Sequence, residues 1–340
     1  MNSKKMSKLQ LHNTLSREKE EFVPINEKEV LFYSCGPTVY NYPHIGNYRA
    51  YFFADILKRT LSYHGYNVKH VMNVTDIDDK TIRESQKMGK SLKEFTEFYT
   101  EEFVADTKTL NILPPTKLTK ATDYIKEMVA LIEQLLEKDI AYKSDDGSVY
   151  YNIKKFLSYG ELSHLEQGQQ KENASGRIST DEYDKENAQD FALWKAWNEK
   201  DGDIFWETSL GKGRPGWHIE CSAMSMATLG EEIDIHTGGV DNIFPHHENE
   251  IAQSEGATGK KFVRYWMHNE WVLVDKKKMA KSEDNFYTLR DVIERGIDPI
   301  AYRFWLLMAS YRTRVNFHFE ALEAAEIALK RLQSLYLGLR

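Results

Sequence analysis

The run Leu31-Phe32-Tyr33-Ser34-Cys35-Gly36-Pro37-Thr38-Val39-Tyr40-Asn41-Tyr42-Pro43-His44-Ile45-Gly46-Asn47 constrains this chain more than any other. It predicts a buried strand over 30–33, a tight loop that begins with a cysteine, and a helix that starts at His44-Ile45-Gly46-Asn47. An apolar face follows at Tyr51, Ala54, Ile56, Leu57 and Leu61, then a Tyr-His-Gly-Tyr stop and a second strand over 68–74. Strand, helix and strand in that order favour a parallel sheet with a right-handed crossover. Ligands in such sheets bind at the carboxyl ends of the strands, where this loop lies. A helix start with unpaired N–H groups suits a phosphate.

Farther along, Gly213-Arg214-Pro215-Gly216-Trp217-His218-Ile219-Glu220-Cys221 predicts a helix from about Trp217, with Trp217 and Cys221 on one face. A strand over 233–236 ends in Thr237-Gly238-Gly239-Val240-Asp241, where glycines admit a nucleotide backbone closely and an acid can accept ribose hydroxyls. Phe244-Pro245-His246-His247-Glu248-Asn249-Glu250 opens another helix, placing His246 and Glu250 on one face. Position 251 is Ile, so the His-Glu-x-x-His pattern of zinc hydrolases is absent. Two cysteines, one His and one Glu (Cys35, Cys221, His246 and Glu250) have the donor types of a tetrahedral zinc site, although any one histidine alone reads better as part of a solvated polar helix start. The acids Asp76, Asp78 and Asp79 read first as helix caps and second as a metal site. Trp271 to Ser282 is a strand running into a loop with four lysines.

These strings, in this order, resemble class I aminoacyl-tRNA synthetases, and specifically the cysteinyl-tRNA synthetase family. The resemblance covers nearly all of residues 9–340. It implies an α/β fold: a Rossmann-type nucleotide-binding domain with a parallel sheet, split by an α+β insertion and followed by the start of an α-helical region. The implied parts are an N-terminal arm (1–24), a first catalytic half (25–115), the insertion (116–200), a second catalytic half (201–270), the lysine loop with its connecting fold (271–312) and the start of a helical bundle (313–340). It implies one Zn²⁺ held by Cys35, Cys221, His246 and Glu250, and Mg²⁺ arriving with ATP. Catalysis would fall to His44, Asn47, Lys278 and Lys281. The nucleotide would meet Gly36, Thr38, His44, Gly46, Asn47, Gly238, Asp241 and Lys281, and the amino acid Gly36, Thr75 and Trp217. The lysine loop departs from the family's Lys-Met-Ser-Lys-Ser: Ala280 replaces the first Ser, and Glu283-Asp284 the common Leu-Gly. Lys5-Met6-Ser7-Lys8 precedes the sheet and is followed by Leu9 rather than Ser, so residues 1–24 read as a solvated arm.

The implied function is ATP-dependent activation of L-cysteine and its transfer to the 3′ end of tRNA(Cys). Two readings compete with it: a ligase that passes the same adenylate to a small amine, as in mycothiol synthesis, and a non-catalytic fragment. Metal–thiolate bonding separates cysteine from serine, a pair that an apolar pocket distinguishes by only ~100-fold. The chain carries 45 Lys+Arg against 52 Asp+Glu, net −7, so RNA contact requires local basic patches. With two cysteines, no signal-peptide core and no bilayer-length apolar run, a cytoplasmic monomer is expected. Residues 92–110 and 123–138 predict amphipathic helices, 140–151 a hairpin, and 164–189 a polar linker. Leu322, Ala325, Leu329, Leu332 and Tyr336 form a stripe that calls for a partner helix. Family members continue into a helical bundle and an anticodon-reading domain, most of which this sequence is expected to lack.

Overall fold

A computed structural model of the protein describes residues 8–164, 190–279 and 285–339. The expectations for residues 1–7, for the linker beyond His164 and for Ala280, Lys281, Ser282, Glu283 and Asp284 lie outside the described residues.

Five parallel strands form the central sheet. In spatial order they are Val263–Asn269, Ile233–Gly239, Glu29–Ser34, Asn67–Val74 and Lys117–Lys120. Val30, Phe32 and Tyr33 are fully buried, as a central parallel strand covered on both faces requires. The first crossover is the helix Ile45–Tyr63, which turns Tyr51, Ala54, Leu57 and Leu61 into the interior, with Ile56 partly buried. Its first residue follows His44, whose backbone N–H donates to Asn47 Oδ1 at 3.0 Å. Helices Leu92–Thr109 and Ile125–Glu137 stand where periodicity places them, the first capped reciprocally by Ser91 and Glu94. Phe95, Tyr99 and Phe103 are buried, whereas Phe98 stays on the surface beside Tyr42. Asp78 caps the helix Asp79–Lys87 through Lys80 N at 2.7 Å, and Asp76 binds Thr122, so these acids are structural.

The insertion is a second, antiparallel sheet: Ala141–Lys143, Val149–Tyr151, Phe191–Ala196, Gly211–Pro215 and Trp206–Thr208. Its first pair is the expected hairpin. Sheet membership differs from the expected division at two strands. Lys117–Lys120 extends the parallel sheet, and 206–215 complete the antiparallel one, because strand pairing across the insertion is not visible in local composition.

The N-terminal arm also differs from expectation. From Gln10 it forms a small hairpin against the edge strand Val263–Asn269, with Leu11, Asn13 and Phe22 buried. Thr14 N donates to Trp266 O and Trp266 N to Asn13 Oδ1, at 2.7 and 3.0 Å. An open sheet edge offers unpaired backbone groups, and the arm covers it. At the other end, helix Phe319–Gly338 buries Leu322 and Ala325 but leaves Leu332 and Tyr336 exposed. Among the described residues, no helix is long and apolar enough to cross a membrane.

Candidate functional site

The strands Glu29–Ser34 and Ile233–Gly239 are neighbours, although about 200 residues separate them. From the first, the chain builds the sheet outward in one direction; from the second, it builds in the other. The loops after their carboxyl ends therefore diverge, and a crevice opens between them. Cys35 N donates to Thr237 O at 3.1 Å across its base. Above it lies a cleft of about 1490 Å³ that reaches from the parallel sheet to the insertion.

Thr38, His44, Gly46 and Asn47 line this cleft from the first loop, and Gly238 and Asp241 from the opposite one. Thr75, Trp217 and Lys278 complete its walls. Gly36 belongs there by necessity: a Cβ would stand 1.6 Å from Asn73 O. At Gly238 a Cβ would meet His247 Cε1 at 2.7 Å. Lys278 Nζ lies 3.5 Å from the centre of the Trp271 ring, and Trp271 Nε1 donates to Asp241 Oδ1 at 3.3 Å. Of the expected residues, Lys281 alone lies outside the described part of the chain.

Cys35, Cys221, His246 and Glu250 converge at the floor, with one donor atom from each within 4.8 Å of the others. They come from a strand end, a helix, a helix entry and the following turn of that helix. Glu250 Oε1 is buried without a hydrogen bond, 3.1 Å from His246 Nε2. The opposite ring nitrogen of His246 is engaged by His218 Nδ1 at 2.9 Å, which leaves Nε2 facing the cluster. Two thiols, an imidazole nitrogen and an orphaned carboxylate oxygen fit a thiophilic divalent cation.

Three further histidines surround this quartet, and sequence reasoning did not single them out. His236 Nε2 lies 2.9 Å from Glu250 Oε2, and His247 Nε2 lies 3.2 Å from Cys35 Sγ. His247 Nδ1 in turn meets His268 Nε2 at 2.7 Å, and His268 Nδ1 meets Thr14 Oγ1 at 2.8 Å. Cys35, His236, His247 and Glu250 also lie close enough to form a donor set. In that alternative set both imidazoles already bond a thiol or carboxylate of the first, which suits them to orienting its ligands. The available signal was weak: His236 and His268 are polar residues inside buried strands that also carry Asp234 and Thr237, and Arg264 and Asn269.

Burial sets the protonation of the floor. It pushes the Glu250 carboxyl well above the usual range, and a hydrogen bond with Cys35, followed by burial, does the same to the Cys221 thiol. His236 is lowered to about 4 and His268 to about 3, so both rings are neutral near pH 7. Without a cation Glu250 and Cys221 hold their protons more tightly than usual, and a cation must displace them.

Comparison with known proteins gives the family and the fold. A family described as tRNA synthetases class I (C) catalytic domain matches residues 21–327. The cysteine–tRNA ligase of Brachyspira hyodysenteriae is 54% identical over 98% of this chain and 70% of its own length. That of Chlamydia muridarum is 55% identical over 95% of this chain and 68% of its own. Among solved structures, Mycobacterium tuberculosis methionyl-tRNA synthetase in complex with methionyl-adenylate superimposes with a TM-score of 0.67 at 13% identity, covering 87% of this chain and 68% of that one. That likeness concerns the fold alone.

Proposed function

The chain belongs to the class I (C) tRNA synthetases, and from that premise we propose that it activates L-cysteine with ATP and transfers the cysteinyl group to the 3′ end of tRNA(Cys). The observation that carries the amino-acid choice is the buried quartet at the switch point. Cys35, Cys221, His246 and Glu250 would hold the metal, which we take to be zinc. When bound, zinc supplies a soft Lewis acid that favours a thiolate over a hydroxyl.

The protein's own residues do the rest. In the first step a carboxylate oxygen of cysteine attacks the α-phosphorus of ATP, and the bond to pyrophosphate breaks. His44 and Asn47, at the start of the Ile45–Tyr63 helix, face the phosphates from one side of the cleft. Lys278 meets from the other side the charge that grows on the α-phosphate and leaving group, a role that the family resemblance extends to Lys281. Mg²⁺ accompanies the nucleotide. Gly36, Thr38, Gly46 and Gly238 let the nucleotide approach the backbone, while Asp241 accepts ribose hydroxyls. Trp217 covers the amino acid, its ring stacked on His246 at 4.2 Å. In the second step a hydroxyl of the terminal ribose of tRNA attacks the acyl carbon, and AMP leaves. We place the protein in the cytoplasm as a monomer.

The relatives' printed activity favours tRNA over a small amine as acceptor. The test is cysteine-dependent exchange of pyrophosphate into ATP, with serine as control, metal content measured on the same sample, and tRNA(Cys) charging as the second readout. Exchange with cysteine alone, about one zinc per chain and charged tRNA are expected. A folded, zinc-loaded sample without exchange would refute the reading.

A further inference from the structure

A second buried acid faces the cleft, and no role above uses it. Glu220 sits in the first turn of helix Trp217–Leu229, 1% exposed, and contributes to the cleft wall. Its Oε2 accepts from Thr75 Oγ1 at 2.8 Å, and its Oε1 has no hydrogen-bond partner among the described residues. Burial, with the negative charges of Asp78 and Asp76 behind it, pushes its carboxyl well above the usual range, so the carboxylate wants a cation beside it. The neighbouring cation Arg214 is held by Asp201 and Asp79.

The hydrogen bonds around Thr75 fix its role. Gly36 N donates to Asn73 Oδ1 at 2.8 Å, which turns the amide nitrogen of Asn73 away from Gly36. That Nδ2 donates to Thr75 Oγ1 at 3.3 Å. The single hydroxyl proton of Thr75 is spent on Glu220, and one acceptor position is filled by Asn73. Toward the cleft, Thr75 can therefore only accept. A ligand group that touches Thr75 Oγ1 must be a donor, and a cation there favours the ionised form of Glu220, whose Oε1 it also meets.

Building on the cysteine reading, we propose that Glu220 Oε1 and Thr75 Oγ1 together receive the α-ammonium group of the amino-acid substrate. The ammonium is thereby pinned beside the metal-competent floor. The carboxylate of the same substrate is then the group left to point toward the nucleotide side of the cleft. Glu220 serves as an amino-acid-binding residue and Asn73 as a positioning residue that sets the polarity of Thr75.

Two thiols separate the contributions: 2-mercaptoethylamine carries the ammonium without the carboxylate, and 3-mercaptopropionate the carboxylate without the ammonium. Their binding to the zinc-loaded full chain is measured by calorimetry, with no nucleotide. The amine is expected to bind at least about tenfold tighter, the worth of one charge-assisted hydrogen bond. In Glu220→Gln that preference should fall toward unity, through loss of amine affinity alone, with zinc content and binding of the acid unimpaired. An unchanged preference in Glu220→Gln would overturn the proposal. So would an equal weakening of both thiols with loss of zinc, the mark of a structural role. If Glu220→Gln does not fold, Glu220→Asp decides: it keeps the charge but withdraws it by one methylene, and the preference must drop without vanishing. Ammonium preference in a protein that shows no exchange activity would fault the catalytic reading and leave this assignment standing.

Discussion

At the floor of the cleft, Cys221, His246 and Glu250 are 2% exposed or less, whereas Lys277 and Lys278 on the rim stand open to solvent. The floor is joined by short hydrogen bonds into a network of histidines that reaches Thr14 of the N-terminal arm. The rim lysines project from a two-residue strand, and Lys278 rests on the face of Trp271. The difference follows from what each must do. On the proposed reading, discriminating a thiol demands donors fixed in advance, and Glu250 and Cys221 keep their protons until a cation arrives. Neutralising phosphate demands long cations that keep their hydration until charge develops.

The widest separation of floor from rim should come from Cys221→Ser, which preserves volume in a packed site but removes a soft donor. Metal content should fall well below stoichiometric, and cysteine activation should drop by about 10³-fold or more, exceeding the 10- to 100-fold typical of outer partners. Retention of full metal content would break the comparison. Next in size is Lys278→Met on the rim. The exchange rate constant should fall by roughly 10²- to 10³-fold, as for loss of one electrostatic stabiliser, while the KM for cysteine and the metal content hold. A raised KM for cysteine with an unchanged rate constant would mean that the rim lysine serves binding rather than the transition state. The smallest effect is a pH dependence confined to the floor. Glu250 and Cys221 both have raised proton affinity, so each must give up a proton to ligate. Metal affinity should therefore weaken as pH falls, by up to about tenfold per pH unit for each proton displaced. Titration with a chromophoric competitor at several pH values would reveal it, and a flat profile would mean that these groups are not the ligands.

Much of the site was legible because its residues sit at element boundaries. The loop after the Glu29–Ser34 strand, the Trp217 helix start and the glycine pair after Thr237 are punctuated by Gly, Pro and polar residues that break an apolar pattern. His236 and His268 were not legible, since each lies inside a buried strand that carries other polar residues, and nothing in the spacing sets the histidine apart from them. Glu220 was quoted within its string but assigned nothing. Its importance depends on Thr75, which is 145 residues away and reaches it through the sheet. The arm was misread as solvated because its polar composition conceals Leu11, Asn13 and Phe22, which pack on an edge strand some 250 residues later.

The sequence by itself determined the strand–loop–helix opening and the main helices with their caps, because these rest on spacing and side-chain chemistry within a few residues; the four donors came from the family resemblance. The order of the five strands, the register that sets Ser34 beside Thr237, and the sealing of the sheet edge were decided by tertiary structure alone. So was the meeting of Cys35 with Cys221, His246 and Glu250 within 4.8 Å. The physical reason is that a parallel sheet pairs segments without regard to their distance along the chain. It gathers donors at the ends of neighbouring strands, and only that gathering turns separate polar residues into a site.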